Sequence, residues 1–182
     1  MVESKWASRF IAAGIVQGAL ATGLTFFWLV AQFGGFLKPE FTRVIAFGSA
    51  GMYFTIGYTT YLIVGVVAVA VSALFYNYLE VTLGKPYKGI AEKFAWLHFI
   101  LMNVGVVGAT WLLMVVGYLG GAALLPPEVG GLGWSPGRVH TEIFFGILPF
   151  GIAMWIVAFL FVTVAGVVFG GLGYILTWRR KA

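Results

Sequence analysis

Two histidines, His98 and His140, are the side chains of this sequence with the widest capacity for chemistry. The chain has no cysteine and no aspartate, which excludes thiolate metal sites, thiol nucleophiles and aspartate-based acid–base schemes. Each histidine lies at or near the start of a different apolar stretch, His98 in the third and His140 in the fourth. Because successive membrane helices run antiparallel, the two would be separated by most of the membrane thickness. They therefore cannot share one haem. His98 remains a candidate single haem ligand, against the commoner role of an interfacial histidine bonded to backbone or lipid headgroups.

Polar side chains inside apolar stretches are a second pointer, because they are expensive at membrane depth. Gln17, Tyr58, Thr60, Tyr61 and Asn103 are of this kind. One interpretation is hydrogen bonding between helices. The alternative is a cavity for a quinone or substrate, with Tyr58, Thr60, Tyr61 and Asn103 as its polar residues. No Lys, Arg or Glu lies at a central position, which argues against an ion pump or a proton relay. We predict no catalytic residue and no metal site.

The composition determines the class of protein. Of 182 residues, 61% are apolar, 18% are aromatic and only 9% are charged, and the mean hydropathy is +0.99. Soluble proteins carry about 25% charged residues. A soluble globule, a disordered chain and a nucleic-acid-binding protein are excluded, despite the net charge of +5. The sequence therefore predicts an integral membrane protein.

Four apolar stretches are long enough to cross a bilayer, which requires about 20 residues each. Turns rich in Pro, Gly and charge separate them. The prediction is an all-α, polytopic protein with a single transmembrane domain of four helices in an up-down bundle. Pro149 predicts a kink inside the last helix. The predicted spans are approximately residues 10–37, 44–79, 94–125 and 139–178.

Orientation is predicted by the distribution of Lys and Arg. With four spans, both termini and the middle loop share one side. That side carries eight basic residues and the other side three, Lys38, Arg43 and Arg138. We therefore expect both termini in the cytoplasm and the protein in the cell membrane, with its basic charge directed at anionic lipid rather than at nucleic acid.

Glycine is abundant, with 26 residues. Small residues four apart allow membrane helices to pack closely. We interpret such pairs as general close packing rather than as a specific dimer motif. The pairs within the spans are Gly14 with Gly18, Gly117 with Gly121, and Gly166 with Gly170.

Several segments resemble the last four helices, nine to twelve, of haem–copper terminal oxidase subunit I. The segment 57–65 (GYTTYLIVG) resembles the tenth helix, and the loop 83–86 (LGKP) resembles the connection that follows it. The segment 96–106 (WLHFILMNVGV) resembles the start of the eleventh helix, and 118–121 (YLGG) fits its outer end. The first and fourth spans would then correspond to helices nine and twelve.

The departures from that family remove its redox centres. Where the family's tenth helix carries two haem-ligating histidines, this chain has Tyr58 and Thr60. The family's paired arginines after the eleventh helix, which hold haem propionates, are missing from residues 121–126. The copper ligands of the family belong to helices that precede these four. The resemblance therefore implies a relative without haem or copper ligands.

Together these observations predict a cofactor-free accessory membrane subunit of a respiratory complex, namely a haem–copper quinol or cytochrome oxidase. We expect no catalysis by the chain alone, and partners that are other integral membrane subunits, lipid and quinone. Haem or quinone would be bound by the partner subunits. The first alternative is a small haem b-binding or quinone-interacting redox subunit, with His98 as a ligand. The second is a transporter or channel subunit.

Overall fold

The structure, a computed structural model, describes residues 3–180 as helices joined by short turns, without a strand in that range. Four helices are long and apolar enough to cross a membrane. They are the first span (Lys5–Gly34), the second span (Ser49–Thr82), the third span (Ile90–Leu124) and the fourth span (Ile152–Trp178). The prediction of an all-α protein with four membrane-spanning helices is confirmed.

The first three spans differ from the predicted limits by a few residues. The first helix ends at Gly34, before Gly35, whose φ of +66° no ordinary helix continues. Residues predicted to begin the second span form a separate short helix, Phe41–Ala46. Gly48 and Ser49 then both have positive φ, which separates that helix from the second span.

The fourth predicted span, residues 139–178, is not one continuous helix. The long helix begins only at Ile152, and the short helices Pro136–Val139 and His140–Phe144 precede it. Pro149 lies between them, flanked by Leu148 and Phe150, which both have positive φ. The proline therefore marks a complete break where the sequence predicted a kink, because its missing N–H and the two left-handed residues end the helical ladder.

The second span is not a uniform α-helix. Two of its segments, Tyr61–Ala68 and Tyr78–Thr82, are π-helical, and α-helical segments precede each of them. π-Helical turns are rare and occur frequently at functional sites. Nothing in the apolar pattern of the sequence predicted them.

The chain divides into two compact units. We call them the His98 unit (Met1–Ala19, Leu62–Val107 and Phe159–Ala182) and the Tyr58 unit (Leu20–Tyr61 and Gly108–Ala158). In each unit, glycines bring helices close together. In the His98 unit, a methyl group at Gly166 would lie 2.6 Å from the backbone nitrogen of Met102. In the Tyr58 unit, one at Gly57 would lie 2.7 Å from the carbonyl oxygen of Thr110. These contacts agree with general close packing within the chain.

The core of the His98 unit is aromatic. Phe10 is fully buried and stacks on Tyr76, with ring centroids 5.0 Å apart, and Tyr76 contacts Tyr87 at 4.8 Å. The fully or nearly buried residues of this cluster are Trp6, Ala7, Phe10, Val69, Ala73, Tyr76, Leu79, Tyr87, Ala91, Ala95 and Met102. This cluster supports the third span at the level of His98.

One end of the His98 unit is basic and is bordered by tryptophan. The guanidinium of Arg9 lies against the rings of both Trp6 and Trp96, at 4.5 and 4.2 Å from their centroids. Lys5 pairs with Glu92 at 3.5 Å. Amphipathic rings next to cations are typical of the region where a helix leaves the membrane.

Candidate ligand cavity around His98

His98 is a buried histidine of the third span, with 8% of its surface exposed. Its Nδ1 lies 3.0 Å from the hydroxyl oxygen of Tyr76, in the second span. Its Nε2 lies 3.2 Å from the sulfur of Met102, one helical turn along the same helix. Both ring nitrogens therefore have partners within the chain.

The direction of the hydrogen bond between Tyr76 and Nδ1 depends on the tautomer of the imidazole. If the phenol donates to Nδ1, that nitrogen is the acceptor, and the proton of the neutral ring is on Nε2. The Nε2–H group then points at the sulfur of Met102. A thioether is a weak acceptor, so this N–H is satisfied less well than it would be by an oxygen.

Gly170 of the fourth span determines how closely that helix approaches His98. A methyl group at this position would lie 2.6 Å from Nδ1 and 2.7 Å from Cγ of the imidazole. No side chain fits there without displacing the ring. The ring of Phe10 also lies close to the imidazole, 4.9 Å away from centroid to centroid. The ring of His98 is therefore in contact with both a phenyl ring and a glycine backbone.

A cavity of about 510 Å³ opens beside this histidine. Its wall is apolar and aromatic apart from the hydroxyls of three tyrosines and one serine and the imidazole itself. None of the described residues lining it carries a charge. They are Ala68, Val71, Ser72, Phe75, Tyr76, Tyr87, His98, Met102, Val167, Gly170, Gly171, Tyr174 and Ile175.

Tyr87 closes the cavity from the turn between the second and third spans. It is 5% exposed. Burial raises the pKa of its phenol well above 10, and the neighbouring Tyr76 and Glu80 act in the same direction. Tyr87 is therefore a neutral hydroxyl at physiological pH, able to donate and to accept a hydrogen bond.

The surroundings of His98 do not favour the hypothesis that it is a haem ligand. His140 belongs to the Tyr58 unit, where it is exposed and contacts the rings of Phe144 and Phe145. Among residues 3–180 there is no group of three or more His, Cys, Asp or Glu that could hold a metal ion. The cavity also offers no Lys or Arg for haem propionates in its lining. Its donor set fits a neutral ligand better than a haem.

The residues predicted to form a polar cavity are divided between the two units. Asn103 lies in the His98 unit, where its Oδ1 accepts from Nε2 of Gln17 at 3.0 Å. Tyr58 lies in the Tyr58 unit, 2.7 Å from the hydroxyl of Thr25, and borders a separate apolar cavity of about 380 Å³. Thr60 and Tyr61 are not among the residues lining that cavity.

Tyr61 has a packing environment of its own. It is fully buried, and its ring meets the edge of Trp111 at 6.1 Å. Thr60 is half-buried beside it in the chain. For Gln17, Asn103 and Tyr58, the interpretation of polar contacts between helices describes the observed geometry.

Sequence reasoning missed the tyrosines of the His98 cavity. The spacing of His98 and Met102, four residues apart, could have indicated a shared helix face. Tyr76 is in a different span, and no local pattern connects it to His98. In the sequence, Gly170 was identified only as a member of the small-residue pair Gly166 with Gly170.

No protein-family model, no curated protein and no solved structure matches this chain.

Proposed function

We propose that this chain is an accessory subunit, without haem or metal of its own, in a respiratory membrane complex of the haem–copper terminal oxidase type. It would lie in the cell membrane with both termini in the cytoplasm and cover an apolar face of the catalytic subunit. The observation that carries this proposal is the pairing of polar side chains inside the spans. Three such pairs form within the chain, while many large apolar side chains of the spans are exposed.

The pairs account for polar groups in three of the four spans. Gln17 bonds to Asn103 at 3.0 Å, Thr25 to Tyr58 at 2.7 Å, and Tyr76 to His98 at 3.0 Å. Between residues 10 and 34, 49 and 79, 94 and 124, and 152 and 178, the sequence contains no charged side chain. A path for ions requires polar or charged groups that face a channel. These pairs therefore favour a packing role over transport.

The outward faces are available for partner helices. In the most apolar windows of the first and fourth spans, only 17% of residues are buried inside the chain. Large side chains on these spans are strongly exposed, including Ile15 at 68%, Phe33 at 86% and Phe161 at 70%. Lipid or neighbouring subunits must cover such surfaces in a membrane. A subunit that covers the side of a larger complex would use them.

The respiratory part of the proposal is supported by the resemblance of residues 57–65 and 96–106 to helices ten and eleven of oxidase subunit I. Tyr58 replaces a haem-ligating histidine of that family and is hydrogen bonded to Thr25 instead. The orientation is supported by the basic end of the His98 unit, where Arg9 lies against Trp6 and Trp96 and Lys5 pairs with Glu92.

The test is extraction of the native membrane in a mild detergent, followed by mass spectrometry of the intact particle and a reduced-minus-oxidised spectrum. The proposal predicts that the chain migrates with a haem–copper catalytic subunit and shows no haem absorbance when it is separated. The proposal would be contradicted if the chain migrated without a haem–copper catalytic subunit. A haem spectrum in the isolated chain would also contradict it. A protease accessibility assay on sealed vesicles checks that both termini are on the cytoplasmic side.

A further inference from the structure

The cavity beside His98 has the character of a binding site rather than a packing defect. Its volume of about 510 Å³ is within the range of about 300–1,000 Å³ that small-molecule sites have. Its polar groups are themselves buried: His98 is 8% exposed and Tyr76 is 3% exposed. Buried polar groups beside an apolar cavity provide orientation for a ligand that the apolar wall attracts.

The wall restricts the ligand to a neutral, membrane-soluble molecule. The described residues lining the cavity come from the second and fourth spans, the third span and the turn at Tyr87, and none is charged. A carboxylate or phosphate buried here would lack a cationic partner, which is strongly unfavourable. Fatty acids, phospholipid headgroups and haem propionates therefore do not fit this lining.

The polar groups favour a ligand with a carbonyl or hydroxyl oxygen. With Tyr76 donating to Nδ1 of His98, the Nε2–H group faces the weak acceptor Met102. An oxygen on the ligand would be a better acceptor, and the flexible methionine side chain could move away to admit it. The hydroxyl of Tyr87 is neutral and could meet a second oxygen of the same ligand.

The aromatic residues favour a flat ring next to those oxygens. Tyr76 and Tyr87 lie 4.8 Å apart and are tilted by 43°, and Phe75 and Tyr174 meet edge to face at 6.0 Å. Rings so arranged can contact another aromatic ring by stacking or by its edge. A plain acyl chain would use none of the polar groups.

We propose that the His98 cavity binds a quinone or its quinol, with a ring oxygen hydrogen bonded to Nε2 of His98 and the apolar part of the ligand against the apolar wall. This goes beyond the accessory role, which assigns quinone to partner subunits. The proposal concerns binding by this chain alone and does not depend on which complex contains it.

The test uses the purified full chain in phosphatidylcholine nanodiscs and a decyl-substituted benzoquinone that carries a photoactivatable azide. Labelled peptides are located by mass spectrometry. We expect saturable labelling of segments 68–76, 87–102 and 167–175, displaced by unlabelled decyl-benzoquinone and not by decanol. Displacement by decanol as effective as by the quinone would show an acyl-chain site, and non-saturable labelling of all four spans would show partition into lipid. Either result overturns the proposal.

Two matched variants connect the labelling to the histidine. Tyr76→Phe removes the hydroxyl that is hydrogen bonded to Nδ1 of His98, and we expect half-maximal labelling to require about 3- to 10-fold more quinone. Tyr58→Phe removes one hydroxyl from the other unit, and we expect no change. Equal effects of the two variants would refute the assignment. His98→Leu should abolish saturable labelling, and if it does not fold, the two tyrosine variants still decide. Because the assay uses the chain alone, its failure leaves the co-migration test of the accessory role unaffected.

Discussion

Substitution of Gly170 by Ala tests the structure around His98 directly. The added methyl group would lie 2.6 Å from Nδ1, 2.7 Å from Cγ and 2.8 Å from Cε1 of the imidazole. Carbon atoms in good contact are about 3.5–4.0 Å apart, so the overlap is about 1 Å. The ring cannot turn aside without lengthening its contact with Tyr76 or with Met102.

The magnitude follows from overpacking together with a strained hydrogen bond. Extra methylenes in a packed core cost about 1–3 kcal/mol, and a hydrogen bond contributes about 0.5–1.5 kcal/mol. Gly171 is the matched control, since it is the next residue of the same helix and its added methyl would meet no atom within 4 Å. Any gain in helix propensity from Gly to Ala applies to both positions. Overpacking sets the scale, because the hydrogen bond is strained rather than lost, and we expect Gly170→Ala to be about 1–3 kcal/mol less stable than Gly171→Ala.

The assay is unfolding in mixed micelles with increasing sodium dodecyl sulfate, followed by tryptophan fluorescence. A double-mutant cycle with His98→Ala identifies the cause, because the methyl at position 170 has no ring to meet in that background. Gly170→Ala should then cost little. If it destabilises equally with and without the imidazole, or behaves like Gly171→Ala in the native background, the close approach described here is wrong.

Three further predictions use the same unfolding assay. Gln17→Leu should cost about 0.6–1.7 kcal/mol, the range for hydrogen bonds between membrane helices, because Asn103 loses its donor; a neutral result would show the pair to be dispensable. Tyr58→Phe should cost about 0.6 kcal/mol through the lost contact with Thr25, and a larger loss would mean that the ring moves as well. Burial raises the pKa of Tyr87, so the folded chain keeps this phenol neutral where the unfolded chain ionises, and stability should fall as pH rises above 10. Tyr87→Phe should reduce that fall; an unchanged pH profile would contradict it.

The fold was predictable because apolar length is read directly from sequence. Four stretches of more than 20 apolar residues admit few alternatives in a bilayer, where only helices or closed barrels satisfy the backbone. The limits were less predictable where backbone conformation decides them. The break near Pro149 depends on positive φ at Leu148 and Phe150, two residues that rarely adopt it. An apolar pattern carries no sign of that conformation.

Of the candidate site, only His98 was predictable from the sequence. His98 was identifiable as a rare titratable group in an apolar helix. Its partner Tyr76 is 22 residues away on another span, and the pairing depends on how two helices are rotated against each other. The π-helical segment Tyr61–Ala68 changes the rotation of all residues that follow it in the second span.

The polar residues of the second span do not form one site, because Tyr58 and Tyr76 lie 18 residues apart along it, about 27 Å at 1.5 Å per residue. Tyr58 precedes the π-helical segment Tyr61–Ala68 and Tyr76 follows it, and the two belong to different units with different partners. A π-helix contains more residues per turn than an α-helix, so it shifts the direction of later side chains without interrupting the apolar span. The eight residues of this segment lie between Tyr58, which bonds to Thr25, and Tyr76, which bonds to His98, together with α-helical residues on either side. One helix can thus contribute to a packing contact in the Tyr58 unit and to a ligand cavity in the His98 unit.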